Sequence, residues 1–121
     1  MTELASTMTP REIASQAAEA IRALNHLTLG GGELASPGEV CDIIASLALM
    51  GQGLPQLYEQ LARFLVARHE DGQVTQDTGE DPGLSVTEVT ETLAAAGQAA
   101  DMMTAALDEA RNAAAELRSA P

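Results

Sequence analysis

Tryptophan and lysine are absent, and cysteine, tyrosine and phenylalanine occur once each, at Cys41, Tyr58 and Phe64. One cysteine cannot close an intrachain disulfide, which excludes a disulfide-stapled secreted fold. With only His26 and His69 beside it, a zinc site made from Cys and His lacks donors. With so few aromatics, a core has to be built from Leu, Ile, Val, Met and Ala. Strand-forming residues are sparse and alanine, the best helix former, is abundant, so an all-α chain is expected. Lacking lysine, the chain sets 6 basic residues, all arginine, against 18 acidic ones, for a formal net charge of −12. That surface repels phosphate backbones and anionic lipid, so neither nucleic acid nor a membrane is expected as a partner. It suits a protein partner with a basic or apolar surface. No uninterrupted apolar run approaches the roughly 18 residues of a membrane span. Residues 1–9 hold neither the basic nor the apolar region of a signal peptide, which makes the cytoplasm the expected location.

What is present is helical periodicity punctuated by caps. The 121 residues suit a single domain with a modest core. After a flexible arm over residues 1–8, Thr9-Pro10-Arg11-Glu12 reads as a capping box with proline at the first helical position. A helix over 9–27 follows, with its apolar stripe at Ile13, Ala17, Ala20, Ile21, Leu24 and Leu27. Gly30-Gly31-Gly32 ends it as a linker; these glycines lack the spacing and lysine of a phosphate loop. Ser36-Pro37-Gly38-Glu39 reads as a second box. From there Val40, Ile43, Leu47, Met50, Leu54, Leu57, Leu61, Phe64 and Arg68 keep three-four spacing through Gly51-Gln52-Gly53-Leu54-Pro55. Two readings compete: one helix over 37–69 kinked at Pro55, or two helices split at 51–55. The unbroken phase favours the kinked helix.

An acidic loop is expected over 70–84, with Asp71-Gly72 as a type I′ turn signal; an isolated β-ribbon around it is marginal, so the segment reads as an exposed, mobile loop. Ser85 with Glu88 reads as a third capping box, opening a helix over 85–118. Its seam is Val86, Val89, Leu93, Ala96, Ala100, Met103, Leu107, Ala110, Ala114 and Leu117. The two long helices have equal predicted lengths and matching seams. The architecture expected is a long antiparallel helical hairpin plus the shorter N-terminal helix, in a three- to four-helix bundle.

The search for chemistry returns little. His26 sits where an imidazolium would cap a helix end. His69 with the loop carboxylates matches no calcium-loop spacing. Cys41 reads as a small buried hydrophobe. No catalytic residue, metal or cofactor is expected. The stripe of the last helix is too wide and too long for the short first helix to cover, and monomers seldom tolerate such a patch. A non-catalytic protein–protein interaction module is expected, a homodimer joined through its Ala/Leu-rich seam. The candidate interface is Leu93, Ala96, Ala100, Met103 and Leu107 with Leu57, Tyr58, Leu61 and Phe64. The alternative is an acidic regulatory decoy that binds a nucleic-acid-binding protein. The Ala-rich hairpin resembles, in shape, secreted actinobacterial substrates of the WXG100 type, without their Trp-x-Gly turn. Thr9-Pro10-Arg11-Glu12 and Leu54-Pro55-Gln56-Leu57 are similar to small acidic helical proteins of actinobacteria, a resemblance that implies no function.

Overall fold

A computed structural model describes residues 7–121, and the described residues form three α-helices and no strand. Most of the expected N-terminal arm, residues 1–6, lies outside the described residues. Contacts divide the chain into two compact units, Met1–Ser36 and Pro37–Pro121.

In the first unit, helix α1 (Pro10–Thr28) opens with the capping box read from the sequence. The Glu12 amide donates to Thr9 Oγ1 at 3.1 Å, and the Thr9 amide donates to Glu12 Oε1 at 3.1 Å. Two donors that a helix start leaves without partners are thereby satisfied. The Thr9 amide and then the Thr9 hydroxyl, which also donates to Glu12 Oε1 at 2.9 Å, hold the Glu12 carboxyl below its ordinary pKa. No residue of α1 is buried; Ile21 and Leu27 are exposed, and Ile13 and Leu24 half-buried. A 3₁₀ turn (Leu29–Gly31) ends the helix, and Gly30, Gly31 and Gly32 all take positive φ.

The second unit holds helix α2 (Pro37–Glu70) and helix α3 (Gly83–Ala114). Helix α2 runs unbroken through Pro55, so the split reading does not hold. The carbonyl that the proline ring crowds belongs to Gly51, which has no side chain to add to the clash. By length and composition α2 is also apolar enough to cross a membrane. Its apolar stretch is interrupted by Gly, Ser and Gln rather than by charges, so counting uninterrupted runs underrates it.

Three local expectations change. The Ser85–Glu88 box is not formed, because α3 starts two residues earlier. Asp81 Oδ1 accepts the Gly83 amide at 3.0 Å and the Val86 amide reaches the Pro82 carbonyl at 2.9 Å, leaving Ser85 inside the helix bonded to Gln76 Oε1 at 3.1 Å. Asp71-Gly72 does not make a hairpin turn. Gln73 N–H donates to the Arg68 carbonyl at 2.9 Å and Gly72 N–H to the His69 carbonyl at 3.0 Å, with Gly72 at φ 73. That is a Schellman cap, in which a left-handed glycine closes the end of α2. Helix α3 ends at Ala114 rather than near residue 118, and the Arg118 guanidinium turns back to donate to the Ala115 and Leu117 carbonyls at 2.8 Å.

α2 and α3 pack against each other and run antiparallel. The Cys41 thiol donates to the Arg111 carbonyl at 3.6 Å, Gly51 faces Thr104, Pro55 faces Gly97, and His69 faces Gly83. The α2 side of this seam is Cys41, Ile44, Ala48, Gly51, Pro55, Tyr58, Ala62, Leu65 and His69, each buried or half-buried. Every one lies one residue after the expected seam position, a rotation of about 100°. On α3 the seam keeps Val86, Leu93, Ala100, Leu107 and Ala114 but takes Thr90, Gly97 and Thr104 in place of Val89, Ala96 and Met103. The correction has a steric cause. Gly51 meets Thr104, Gly97 meets Pro55, and Ala48, Ala62 and Ala100 are buried along the same seam; these small residues let the backbones approach more closely than leucines would. No large side chain is fully buried.

Candidate interaction surface

The rotation of the seam leaves the bulky residues of α2 beside it. At 100° per residue, Ile43, Leu47, Met50, Leu54, Leu57, Leu61 and Phe64 fall on one flank of α2. Val89, Ala96, Ala99, Met103 and Ala106 fall on one flank of α3 by the same count. Because the helices are antiparallel, these two flanks form a single face. Contacts bear this out at both ends. Met103 Cε reaches over Gly51, and Leu65 lines a cavity of about 130 Å³ with Val89, under Val74 and Gln76 of the loop. The face spans roughly 30 Å from Ile43 to Phe64 at 1.5 Å per residue.

Leu61 is 53% exposed and Phe64 59%, with Leu57, Met50 and Met103 exposed as well. None of the flank residues named above is ionisable, in a chain with 18 acidic residues. At one end of the face stands Arg68, whose guanidinium lies over the Phe64 ring, 4.8 Å from its centroid, and donates to Gln73 at 3.0 Å. The cation therefore covers one side of that ring. Leu49 and Met102 are also exposed but lie off this flank.

The candidate interface read from the sequence separates into two sets. Leu57, Leu61, Phe64, Ala96 and Met103 stand on the face. Tyr58, Leu93, Ala100 and Leu107 belong to the seam, where Ala100 is buried and the other three half-buried. Sequence reasoning did not name Ile43, Leu47, Met50, Leu54 and Val89 as interface. Their signal was visible as three-four spacing, but it was assigned to the seam.

The opposite side of the pair is polar. A groove of about 340 Å³ runs beside Tyr58 and Leu93, with Glu59, Gln98 and Asp101 along it, and the Glu59 carboxylate pairs with Arg63. A wider cavity of about 640 Å³ near the loop is lined by His69, Glu70, Asp81 and Glu91, among others. No group of three or more His, Cys, Asp or Glu side chains among the described residues converges on a point that would hold a metal ion. Comparison of the chain with protein-family models, with curated proteins and with solved structures finds no match. The feature that stands out is a surface. It is an uncharged apolar strip two helices wide, on which each half-exposed leucine gains about 1 kcal/mol when covered.

Proposed function

We propose that the chain is a non-catalytic helical protein–protein interaction module, that the apolar face of α2 and α3 is its docking surface, and that it dimerises. One observation carries this reading. The pair packs through alanine and glycine and leaves Leu57, Leu61, Phe64 and Met103 outside, on a strip free of charge. Exposed apolar strips of this extent on a protein this acidic mark contact sites. Helices supplied by a partner would complete a three- or four-helix bundle around the strip. The test is a Leu57→Ser/Leu61→Ser variant compared with the parent by circular dichroism and by affinity capture. Retained helix content with lost association supports the reading. Unchanged association removes it.

A second reading, the acidic decoy, has one observation in its favour. Glu91, Asp101 and Asp108 fall on the side of α3 away from the apolar strip, so that side of the helix is acidic. Binding to a basic protein that weakens steeply with salt would support it, and its absence would remove it.

A further inference from the structure

The apolar strip has relief as well as hydrophobicity. Its α2 half is a ridge, built from Leu54, Leu57 and Leu61, while its α3 half is a trough floored by Ala96 and Ala99. We propose that the occupant of the strip is a second copy of this chain, with the leucine ridge of each copy seated in the alanine trough of the other. The proposal rests on the interaction-surface reading above and adds the identity of the partner and the arrangement.

Two symmetric pairings of the strips are possible. A two-fold axis across the helices would stack ridge on ridge and trough on trough. Interaxial distance follows side-chain size, from about 8 Å for small residues to about 10 Å for large ones, so that layer could not close over both halves at once. A two-fold axis along the helices stacks ridge on trough twice, which fills space at interior density. Charge does not oppose this contact locally. Each copy carries −12, yet the two strips meet without a carboxylate between them. Area is sufficient: a strip roughly 30 Å by 20 Å gives about 1,200 Å² over two copies, the lower end of stable specific interfaces.

An axis along the helices keeps each residue at its own height. Pro55 lies opposite Gly97 within one copy, where a Cβ on Gly97 would sit 3.6 Å from the Pro55 Cα. Two residues further along α2, Leu57 therefore meets Ala96 of the second copy.

The experiment uses full-length chains with Cys41→Ser, carrying either Leu57→Cys or Ala96→Cys, oxidised separately and mixed. The expected result is a mixed cross-linked dimer exceeding either self-linked dimer several-fold, with helix content unchanged. Dominant self-linking through the Leu57→Cys chain would overturn the arrangement. A parent that stays monomeric by light scattering at all concentrations would overturn the second copy as occupant. In that monomer a Leu61→Glu variant separates the two readings. An unchanged melting temperature leaves the strip open for a different protein, so the docking-surface reading survives alone; a lowered one means the strip is covered within the chain, and both fall.

Discussion

Gly51 and Gly97 face each other's helices across the seam, but only one of them needs to be glycine. A Cβ on Gly51 would lie 2.4 Å from Thr104 Oγ1 and 3.1 Å from Met103 Cε. The methionine tip can move, whereas a β-branched side chain inside a helix has few alternative rotamers. On Gly97 the nearest heavy atoms are Pro55 Cα at 3.6 Å and Cβ at 3.7 Å, ordinary contact. Replacing a mid-helix glycine by alanine gains up to about 1 kcal/mol from propensity. Forcing extra volume into a packed seam costs about 1–3 kcal/mol. Gly97→Ala should therefore keep the gain and raise the melting temperature by about 4 °C. Gly51→Ala should lose up to about 2 kcal/mol net. Thr104 allows the cause to be isolated. Its Oγ1 is buried without a hydrogen-bond partner, whereas Thr28, Thr90 and Thr92 each donate to a carbonyl one turn back. In a Thr104→Ala background the clash is gone, and Gly51→Ala should become stabilising. Urea and thermal unfolding followed by circular dichroism give the double-mutant cycle, with an expected coupling of about 1–3 kcal/mol. If both alanine substitutions raise stability equally, whatever stands at 104, the close crossing at Gly51 is wrong.

Other expectations follow from the helix ends. Thr9 holds Glu12 ionised with a lowered pKa, so the unfolded chain binds that proton more readily than the folded one. The capping contribution is then complete above the ordinary carboxylate value of about 4.3 and lost as pH falls through the lowered folded value. Acid titration of the parent, with the Glu12 carboxyl followed by NMR, should show α1 helicity lost in that window; Glu12→Gln should flatten it. Gly72, at φ 73, closes α2 in a conformation that costs an alanine about 1–2 kcal/mol. Gly53 has helical φ and open space around it, so alanine there should stabilise. Opposite shifts in urea midpoint for Gly72→Ala and Gly53→Ala would bear this out, and shifts of the same sign would not.

The helices were legible because their signals are local. Thr9 with Glu12 and the Gly30–Gly32 run act on neighbours in sequence, and the structure uses them there. The start of α3 was misjudged because Asp81 and Pro82 offer a competing start that outranks Ser85 once the Gly83 amide is taken. The packing was half legible. Periodicity locates the centre of an apolar stripe, and on α2 that centre is set by Leu47, Leu54, Leu57 and Leu61, the heaviest residues. Which edge of the stripe meets the neighbouring helix depends on how closely two backbones can approach. That is decided by Gly51, Ala62 and Gly97, which add almost nothing to a hydrophobic count. The residues named as a candidate interface therefore fall partly in the seam and partly on the strip.

The division of labour between small and large residues has a thermodynamic consequence. The buried apolar residues of the pair are Ala48, Ala62, Val86, Ala100 and Ala114. An alanine side chain supplies about 0.8 kcal/mol on burial, while fixing each backbone residue costs about 1–2 kcal/mol. Two helices of 34 and 32 residues are held by these and by half-buried Ile44, Tyr58, Leu65, Leu93 and Leu107, while Leu57 and Leu61 stand exposed on the outer strip. A partner that covers that strip would add its binding energy to the stability of the pair. With a second copy as the cover, each tenfold rise in protein concentration adds about 1.4 kcal/mol to the folded side, which corresponds to about 4 °C in melting temperature. Added salt should act in the same direction, since it screens the repulsion between two chains of −12. A melting temperature independent of concentration over two decades, in a chain that keeps its helix content, would show that the pair stands without its strip being covered by another copy.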